Sequence, residues 1–171
     1  QSGEPFLMKI FVTVATHEQS FTRLMKQIER AAKDNPQDEF YVQYGYSVVP
    51  TGKNIHCEKF MTYSHMKEMY QKCDCVVMHA GPASMFDALN AKITPIIVPR
   101  YHDLNEHVNN HQVEFTKFLE SKAFPIIAVY QDDPLEGALD DVRKGMAVKG
   151  YKSHQQKFCS DLENIIEQLV P

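Results

Sequence analysis

The sequence lacks tryptophan altogether and has only four cysteines among its 171 residues. Four cysteines in a chain of this length do not make a disulfide framework. Cys73 and Cys75 stand one residue apart at the entry to an apolar run, and we interpret them as two reduced cysteines at a strand edge. Reduced cysteines favour a cytoplasmic location.

The sequence also lacks an excess of positive charge and any long apolar run. Its formal net charge at pH 7 is −4 and it holds no block rich in lysine and arginine, so we expect no nucleic-acid partner. No segment approaches the roughly 18 apolar residues that a membrane-spanning helix needs. The residues before Met8 are too few and too polar for a secretory signal, and we interpret residues 1–7 as a tag or processing remnant.

Short β-branched runs alternate with stretches of helical hydrophobic spacing along the rest of the chain. The predicted strands are residues 9–14, 40–44, 55–60, 74–79, 94–98 and 126–129. The predicted helices are residues 20–33, a helix from Ser64, and residues 84–91, 108–121, 134–144 and 153–169, with Thr16 or Ser20 as the cap of the first. This alternation predicts an α/β fold, a Rossmann-like doubly wound parallel sheet in a single domain over residues 8–171.

Ligands of such sheets bind beyond the carboxyl ends of the strands, which points to loops 16–19, 45–47, 79–84 and 100–112. In loop 79–84, a Gly-containing turn leads from a buried strand to a helix that opens at Ser84. Backbone N–H groups and the helix dipole at such a start favour phosphate, and Pro82 suits a first helical turn. The pattern is equally typical of an ordinary turn with a serine cap. It matches neither a dinucleotide fingerprint nor a P-loop.

Loop 100–112 is dense in polar side chains. A carboxylate such as Glu106 can accept hydrogen bonds from ribose hydroxyls, and amides such as Asn110 and Gln112 suit sugar hydroxyls, although a solvated loop would also look like this. His107 and His111 are four residues apart, but the glutamate of the zinc-protease motif is missing, and we expect no metal site.

Four segments in order along the chain carry a family resemblance: VTVATHEQSFTRL (12–24), VVMHAGPASM (76–85), PIIVPR (95–100) and NEHVNNHQVEF (105–115). They resemble the donor-binding subunit of bipartite glycosyltransferases of the Alg13 and bacterial PssE/EpsF type. This subunit looks like the C-terminal half of a MurG-like GT-B enzyme, the glycosyltransferase family 28 C-terminal domain.

The resemblance implies a GT-B half-domain that binds a UDP-sugar without a further cofactor and transfers the sugar with inversion. It implies a membrane-associated, acceptor-binding partner of the Alg14/PssD type, which would hold a lipid-linked sugar and bring this chain to the membrane surface. His17 is the candidate base, although a loop or interface role for this residue is the alternative. The implied donor-binding residues are His79, Ala80, Gly81, Pro82, Ala83, Ser84, Arg100, Glu106, Asn110, His111 and Gln112.

Three alanines depart from the family pattern, because Ala15, Ala80 and Ala83 stand where glycines are expected. A Cβ there would crowd a phosphate if the positions need positive φ or close backbone approach. The departures motivate an alternative, a non-catalytic binding or regulatory subunit on the same fold. A third reading, a small-molecule enzyme such as a phosphate-ester hydrolase, lacks an evident nucleophile with a neighbouring base. Candidates for a partner-facing surface, or else for the core, are Tyr44, Tyr46, Phe60 and Tyr63.

Overall fold

The computed structural model of the chain describes residues 7–145 and residue 164. The segment 1–7, which we interpret as a tag or processing remnant, lies outside this part of the chain except for Leu7. The predicted helix 153–169 lies outside it except for residue 164. The elements in order are β1 (Lys9–Thr13), α1 (Thr22–Asp34), β2 (Glu39–Gln43), β3 (Ile55–Glu58), α2 (Tyr63–Lys72), β4 (Cys75–Met78), α3 (Pro82–Asn90), β5 (Thr94–Ile97), a 3₁₀ turn (His102–Leu104), α4 (His111–Ser121), β6 (Ile127–Ala128) and α5 (Leu135–Arg143).

The strands form one parallel sheet of six strands in the order β3-β2-β1-β4-β5-β6. The chain moves outward from β1 in one direction and then, from β4, in the other. The strand order therefore reverses between β1 and β4, and this is the point at which doubly wound sheets form a ligand crevice. The predicted Rossmann-like fold is confirmed.

Two apolar clusters cover the two faces of the sheet. Side chains of β1 alternate between them, since Ile10 and Val12 join the cluster with α1 and α5, whereas Phe11 joins the cluster with α2, α3 and α4. The period of two residues along a strand produces this division. Helices α1 and α3 thus lie on opposite faces of the sheet. Among the described residues, no helix has the length and apolar character needed to cross a bilayer.

The cysteines that the structure describes, Cys57, Cys73 and Cys75, are free. Cys75 lies in the central strand β4 and is fully buried, and burial raises its pKa well above the usual range. Burial also raises the pKa of the Cys73 thiol to about 11. Protonated, buried thiols behave as small apolar side chains, which agrees with a structural rather than a reactive role.

No helix lies between β2 and β3, although the two strands are parallel. The connecting loop 44–54 passes over the end of α1 instead. There the Asn54 amide nitrogen donates to the backbone carbonyls of Ala32, Asn35 and Asp38 at 3.1, 3.2 and 2.8 Å. One half-buried amide thus supplies the contacts that fix a short crossover.

The predicted cap of α1 is wrong. Neither Thr16 nor Ser20 caps the helix, which begins at Thr22 and has Phe21 in the capping position without a side-chain hydrogen bond. The N–H of Phe21 donates to the hydroxyl oxygen of Ser47 at 2.8 Å. The start of α1 is therefore fixed by the distant β2–β3 loop rather than by its own sequence.

Helix α4 begins at His111 and not at the predicted residue 108. The side-chain oxygen of Asn109 accepts from the His111 N–H at 3.0 Å, and that of Asn110 accepts from the His102 N–H at 2.9 Å. Such side-chain bonds to the backbone compete with helical hydrogen bonds, and they keep residues 105–110 outside the helix.

Ala15 adopts a left-handed backbone conformation with φ of 56°, directly after β1. The resemblance predicts glycine at this position, and the conformation supplies the physical reason. Ala80 and Ala83 are not among the residues with positive φ, so their Cβ atoms impose no such strain. Of the three alanines, only Ala15 therefore adopts a backbone conformation that is strained for a residue with a Cβ.

The variant Ala15→Gly should raise the free energy of unfolding by about 1 kcal/mol, because a left-handed conformation costs an L-residue that amount and glycine almost nothing. The matched control Ala83→Gly, in the first turn of α3, should lower it by about 0.5 kcal/mol. Urea denaturation of both variants gives the two values. Equal effects of the same sign would contradict the assigned strain at position 15.

Candidate functional site

Three loops meet at the crevice where the strand order reverses. They follow the carboxyl ends of β1, β4 and β5, and they comprise residues 14–21, 79–81 and 98–110. Three of the four loops that the sequence singled out are therefore neighbours in space. The fourth, after β2, lies one strand further toward the sheet edge and contacts the loop after β1 through the hydrogen bond from Phe21 to Ser47.

The side chain of Arg100 joins two of these loops. Its Nη1 atom donates to the carbonyl of Gln19 at 2.7 Å and to that of Glu106 at 3.0 Å, and its Nη2 atom donates to the carbonyl of Val14 at 3.0 Å. The residue is fully buried, and the guanidinium carbon lies 4.7 Å from the centre of the Phe21 ring. Burial lowers the pKa of Arg100 to about 10, so the cation persists at neutral pH.

The side chain of Gln112 joins the loops after β4 and β5. Its oxygen accepts from the backbone N–H groups of Ala80 and Arg100, both at 3.1 Å. Two backbone donors on the oxygen fix the orientation of the amide, and the Nε2 atom of Gln112 must then donate to Nδ1 of His79, 3.0 Å away. Gln112, predicted to contact the donor, thus holds the loop in which the donor phosphates are expected.

This hydrogen bond also assigns the protonation of His79. Because Nδ1 accepts, the proton of the neutral ring resides on Nε2. The ring is almost wholly buried, and burial and the nearby Arg100 cation lower the pKa of His79 to about 3, so the ring is neutral. Its Nε2 atom has no hydrogen-bond partner among the described residues. An N–H donor is therefore buried at this point without an acceptor, a state that costs about 1–3 kcal/mol.

The unpaired donor lies at the first turn of α3. A Cβ built on Gly81, the residue that precedes the helix, would stand 2.6 Å from Nε2 of His79 and 2.2 Å from Cε1. Position 81 therefore requires glycine because the imidazole occupies the place of a side chain. Ala80 is buried beside it, with its N–H bound to Gln112, whereas Ala83 is exposed in the first turn.

Helix α3 begins at Pro82, two residues earlier than predicted, and no side chain caps it. Pro82 takes the first helical position, as predicted. Ser84 is half-buried within the first turn and does not cap the helix, since Met85 N–H donates to the Gly81 carbonyl at 3.0 Å. The open N-terminus and the adjacent His79 N–H together form a set of donors suited to an anion.

Glu106 is buried and forms a two-point ion pair with Arg23. Its Oε1 atom lies 2.9 Å from Nε of Arg23 and its Oε2 atom 3.0 Å from Nη2, and Oε2 also accepts from the Tyr101 N–H at 3.0 Å. Both oxygens therefore have protein donors already. Contact of Glu106 with a ribose stays a prediction, and the geometry shows a carboxylate that stabilises its own loop.

His17 and His107 stack, with ring centres 4.6 Å apart and 27° between the planes. Nε2 of His17 lies 3.0 Å from the side-chain oxygen of Gln19, whose nitrogen donates to the Asn105 carbonyl at 3.3 Å. Burial, together with the charges of His17 and Arg100, lowers the pKa of His107. The candidate base His17 is therefore held by loop 98–110 at the mouth of the crevice.

The remaining predicted donor residues lie at the start of α4. Asn110 is half-buried with its side-chain oxygen bound to the loop, and His111 is exposed. Within residues 7–145, no three or more histidine, cysteine, aspartate or glutamate side chains gather as a metal would require. The sequence analysis missed Arg23, which stands 83 residues from its partner Glu106. A local pattern carries no signal for such a pair.

The comparisons with known proteins agree on the family. Residues 9–168 match the model of the glycosyltransferase family 28 C-terminal domain. No curated protein sequence matches the chain. Among solved structures, MurG from Acinetobacter baumannii superposes with a TM-score of 0.58 at 17% identity, covering 94% of this chain and 50% of MurG.

Two further structures have the same architecture. Os79 from O. sativa, solved in complex with UDP, gives a TM-score of 0.58 at 13% identity over 95% of this chain and 36% of Os79. The NMR structure of ALG13 gives 0.56 at 15% identity over 91% of this chain and 94% of ALG13. The chain thus spans half or less of MurG and Os79. At these identities the structures show the shared GT-B half-domain fold, and the family model, which matches nearly the whole sequence, shows that the chain belongs to the glycosyltransferase family 28 C-terminal domains.

Proposed function

We propose that the chain binds the UDP-sugar donor in a two-component inverting hexosyltransferase that assembles cell-surface polysaccharide or lipid-linked oligosaccharide. The observation that carries the proposal is the buried, unpaired Nε2–H of His79 beside the uncapped N-terminus of α3. A diphosphate oxygen would accept from both. It would satisfy a buried donor and meet the positive end of the helix dipole.

The same donors suit the chemistry of transfer. An acceptor hydroxyl attacks C1 of the sugar, the bond from C1 to the diphosphate oxygen breaks, and the electron pair of that bond stays on departing UDP. Negative charge accumulates on the diphosphate as the bond breaks, so donors fixed at that oxygen stabilise the transition state more than the bound substrate. His79 and the first turn of α3 would supply these donors without a metal ion.

The proton of the acceptor hydroxyl must go to a base. In the neutral ring of His17, Nε2 donates to the side-chain oxygen of Gln19, so Nδ1 is free of a proton and can accept one. We therefore keep His17 as the candidate base, and the stacked His107 orients its ring. A base from the partner subunit is the alternative.

The other half of the active site is proposed to come from a partner. The chain covers 50% of MurG and 36% of Os79, whereas it covers 94% of the ALG13 chain, which has a similar extent. We propose a membrane-associated subunit that holds the lipid-linked acceptor. This chain would then act in the cytoplasm, at the membrane surface through that partner.

A non-catalytic binding subunit is the second candidate, and the alanine departures favour it. Ala80 is buried in the loop that would meet the diphosphate, so its methyl group takes space there. In that case UDP would bind without any transfer in the assembled complex. The double variant Ala80→Gly/Ala83→Gly would restore transfer if the two methyl groups alone had removed it.

Calorimetric titration with UDP, against UMP and ADP, tests the donor site. The variant His79→Asn keeps an oxygen at the position of Nδ1 for Gln112 and deletes the donor at Nε2. It should weaken UDP binding about tenfold or more, the effect of one hydrogen bond to a charged group. The matched variant His79→Gln places an amide nitrogen near Nε2 and should retain most of the affinity.

Thermal unfolding of both His79 variants controls for loss of structure. Equal affinity of the two folded variants would show that Nε2–H does not bind the ligand. Absence of UDP binding by the folded wild-type chain, with UDP-sugars equally inactive, would refute the proposed donor site for the isolated chain.

An exposed aromatic surface next to the crevice fits the partner. We define it by five exposed residues of the loops after β2 and β3 and of the start of α2, namely Tyr46, Val48, Val49, Phe60 and Tyr63. The rings of Tyr46 and Phe60 are in edge contact at 5.5 Å, and Lys59 lies over both. Of the candidates named from the sequence, Tyr44 instead packs against the core. Contiguous exposed apolar area of this kind marks binding surfaces.

Sugar transfer by the purified chain alone should be negligible, and it should appear when membranes of the source organism supply the partner and acceptor. The variant Phe60→Ser should reduce transfer in the presence of membranes about tenfold or more, because a buried aromatic contact at an interface contributes on the order of 2 kcal/mol. Its affinity for UDP should not change.

The control for this experiment is Phe118→Ser, which alters a half-buried ring on α4 that packs against the cluster with α2 and α3. Thermal unfolding of both variants separates a loss of structure from the loss of a partner contact. Robust transfer by the isolated chain would contradict the two-component arrangement. Loss of UDP affinity in Phe60→Ser would show that the ring supports the donor site rather than an interface.

A further inference from the structure

A groove of about 640 Å³ runs along α1 on the face of the sheet opposite α3. The first two turns of α1 form one wall, and the loop around the 3₁₀ turn forms the other. The groove is lined by Ser20, Thr22, Arg23, Lys26, Gln27, Arg30, Leu104, Asn105 and Glu106. The sequence analysis assigned no function to this helix.

The lining is positively charged although the chain as a whole is not. Arg23, Lys26 and Arg30 face one carboxylate, Glu106, and this carboxylate is bound to Arg23 in a two-point ion pair. Lys26 and Arg30 are exposed and have no ion-pair partner within the described part of the chain. The groove therefore has a surplus of two positive charges in a chain of net charge −4.

The spacing of Lys26 and Arg30 on α1 makes their positive charges repel each other. Lys26 and Arg30 are one turn apart, and like charges in that relation destabilise a helix by a few tenths of a kcal/mol. The positive end of the helix dipole at Thr22 adds to the same potential. A bound anion would be attracted by both cations and by the helix dipole, and these attractions would offset the repulsion.

Two buried polar atoms at the groove have no hydrogen-bond partner among the residues that the structure describes. They are Nη1 of Arg23 and the side-chain oxygen of Gln27. The other Arg23 nitrogens bind Glu106 and the Pro99 carbonyl, so the guanidinium is held rigidly with one nitrogen left unpaired. An oxygen acceptor in the groove would complete its hydrogen bonding. No residue of α1 caps the helix with its side chain, so no such cap occupies the N–H donors of the first turn.

We propose that this groove is a second anion site, which binds phosphate groups with Arg23, Lys26 and Arg30. The seven-residue step from Arg23 to Arg30 spans about 10 Å of helix, which accommodates two linked phosphates. The basic residues of the groove lie on α1, on the face of the sheet opposite α3, although the groove shares Ser20, Asn105 and Glu106 with the crevice loops. The proposal does not depend on the proposed glycosyltransferase function.

The phosphates could belong to a soluble diphosphate or to a lipid headgroup. Both present the same oxygens to Lys26 and Arg30, and the two sources are separated by experiment. In either case Arg23 couples the groove to the crevice, because its partner Glu106 belongs to the loop that Arg100 holds.

Titration of the full chain with inorganic pyrophosphate, in the presence of saturating UDP, tests the site. The double variant Lys26→Gln/Arg30→Gln should weaken pyrophosphate binding about tenfold or more, and added salt should weaken binding to the wild type. The matched control Lys33→Gln/Lys53→Gln removes the same charge from exposed positions outside the groove and should bind as the wild type does.

Flotation with phosphatidylcholine vesicles, with and without phosphatidic acid, identifies the source of the phosphate. Binding to the acidic vesicles that the groove variant loses assigns a lipid headgroup, whereas pyrophosphate binding without vesicle binding assigns a soluble diphosphate. Pyrophosphate binding that UDP abolishes, or that both double variants weaken equally, would overturn the proposal, as would no binding of either probe. UDP affinity should be unchanged in the groove variant, so failure here leaves the donor site unaffected.

Discussion

The guanidinium of Arg100 is buried at the reversal point of the sheet, and the geometry of the crevice depends on it. It binds three backbone carbonyls from the loops after β1 and β5. Burying a cation is costly unless its donors are satisfied, so the three carbonyls must stay in place for the charge to be tolerated. The same hydrogen bonds stabilise the buried cation and hold the two loops in position. Arg100 was predicted to contact the donor, and the structure shows it holding the loops that surround the crevice.

A second constraint passes from Gln112 to His79. The amide oxygen of Gln112 binds two backbone N–H groups, and this leaves its nitrogen to face the imidazole. The side-chain amide of Gln112, on α4, thereby sets the tautomer of His79 in the loop after β4. Burial keeps the ring neutral, and the resulting N–H stands unpaired at the start of α3. Pre-organised donors of this kind need no rearrangement when charge develops on a ligand, which is the property that transfer of a sugar from a diphosphate requires.

The alanines that replace expected glycines differ in their physical consequences. Ala15 adopts positive φ, whereas Ala80 and Ala83 do not. Gly81 is retained, and there the His79 ring fills the space of a Cβ. Glycine is therefore present at position 81, where a Cβ cannot be accommodated, and alanine, the smallest residue with a Cβ, stands at positions 15, 80 and 83. The strain at Ala15 is local and leaves the path of the loop intact, since its N–H still donates to Thr13 at 3.3 Å.

Sequence alone determined the fold class, because strand and helix periods are local properties that tertiary contacts reinforce. Six strands, the alternation with helices and the polar loops at the carboxyl ends were all predicted, with boundaries shifted by a few residues. The family resemblance added a prediction of which loop residues surround the donor. Tertiary structure decided the rest: the hydrogen bond from Phe21, before α1, to Ser47, the pairing of Glu106 with Arg23, and the basic groove along α1. These features join residues 26 and 83 positions apart, and a local pattern in the sequence cannot specify contacts that exist only after the sheet has assembled.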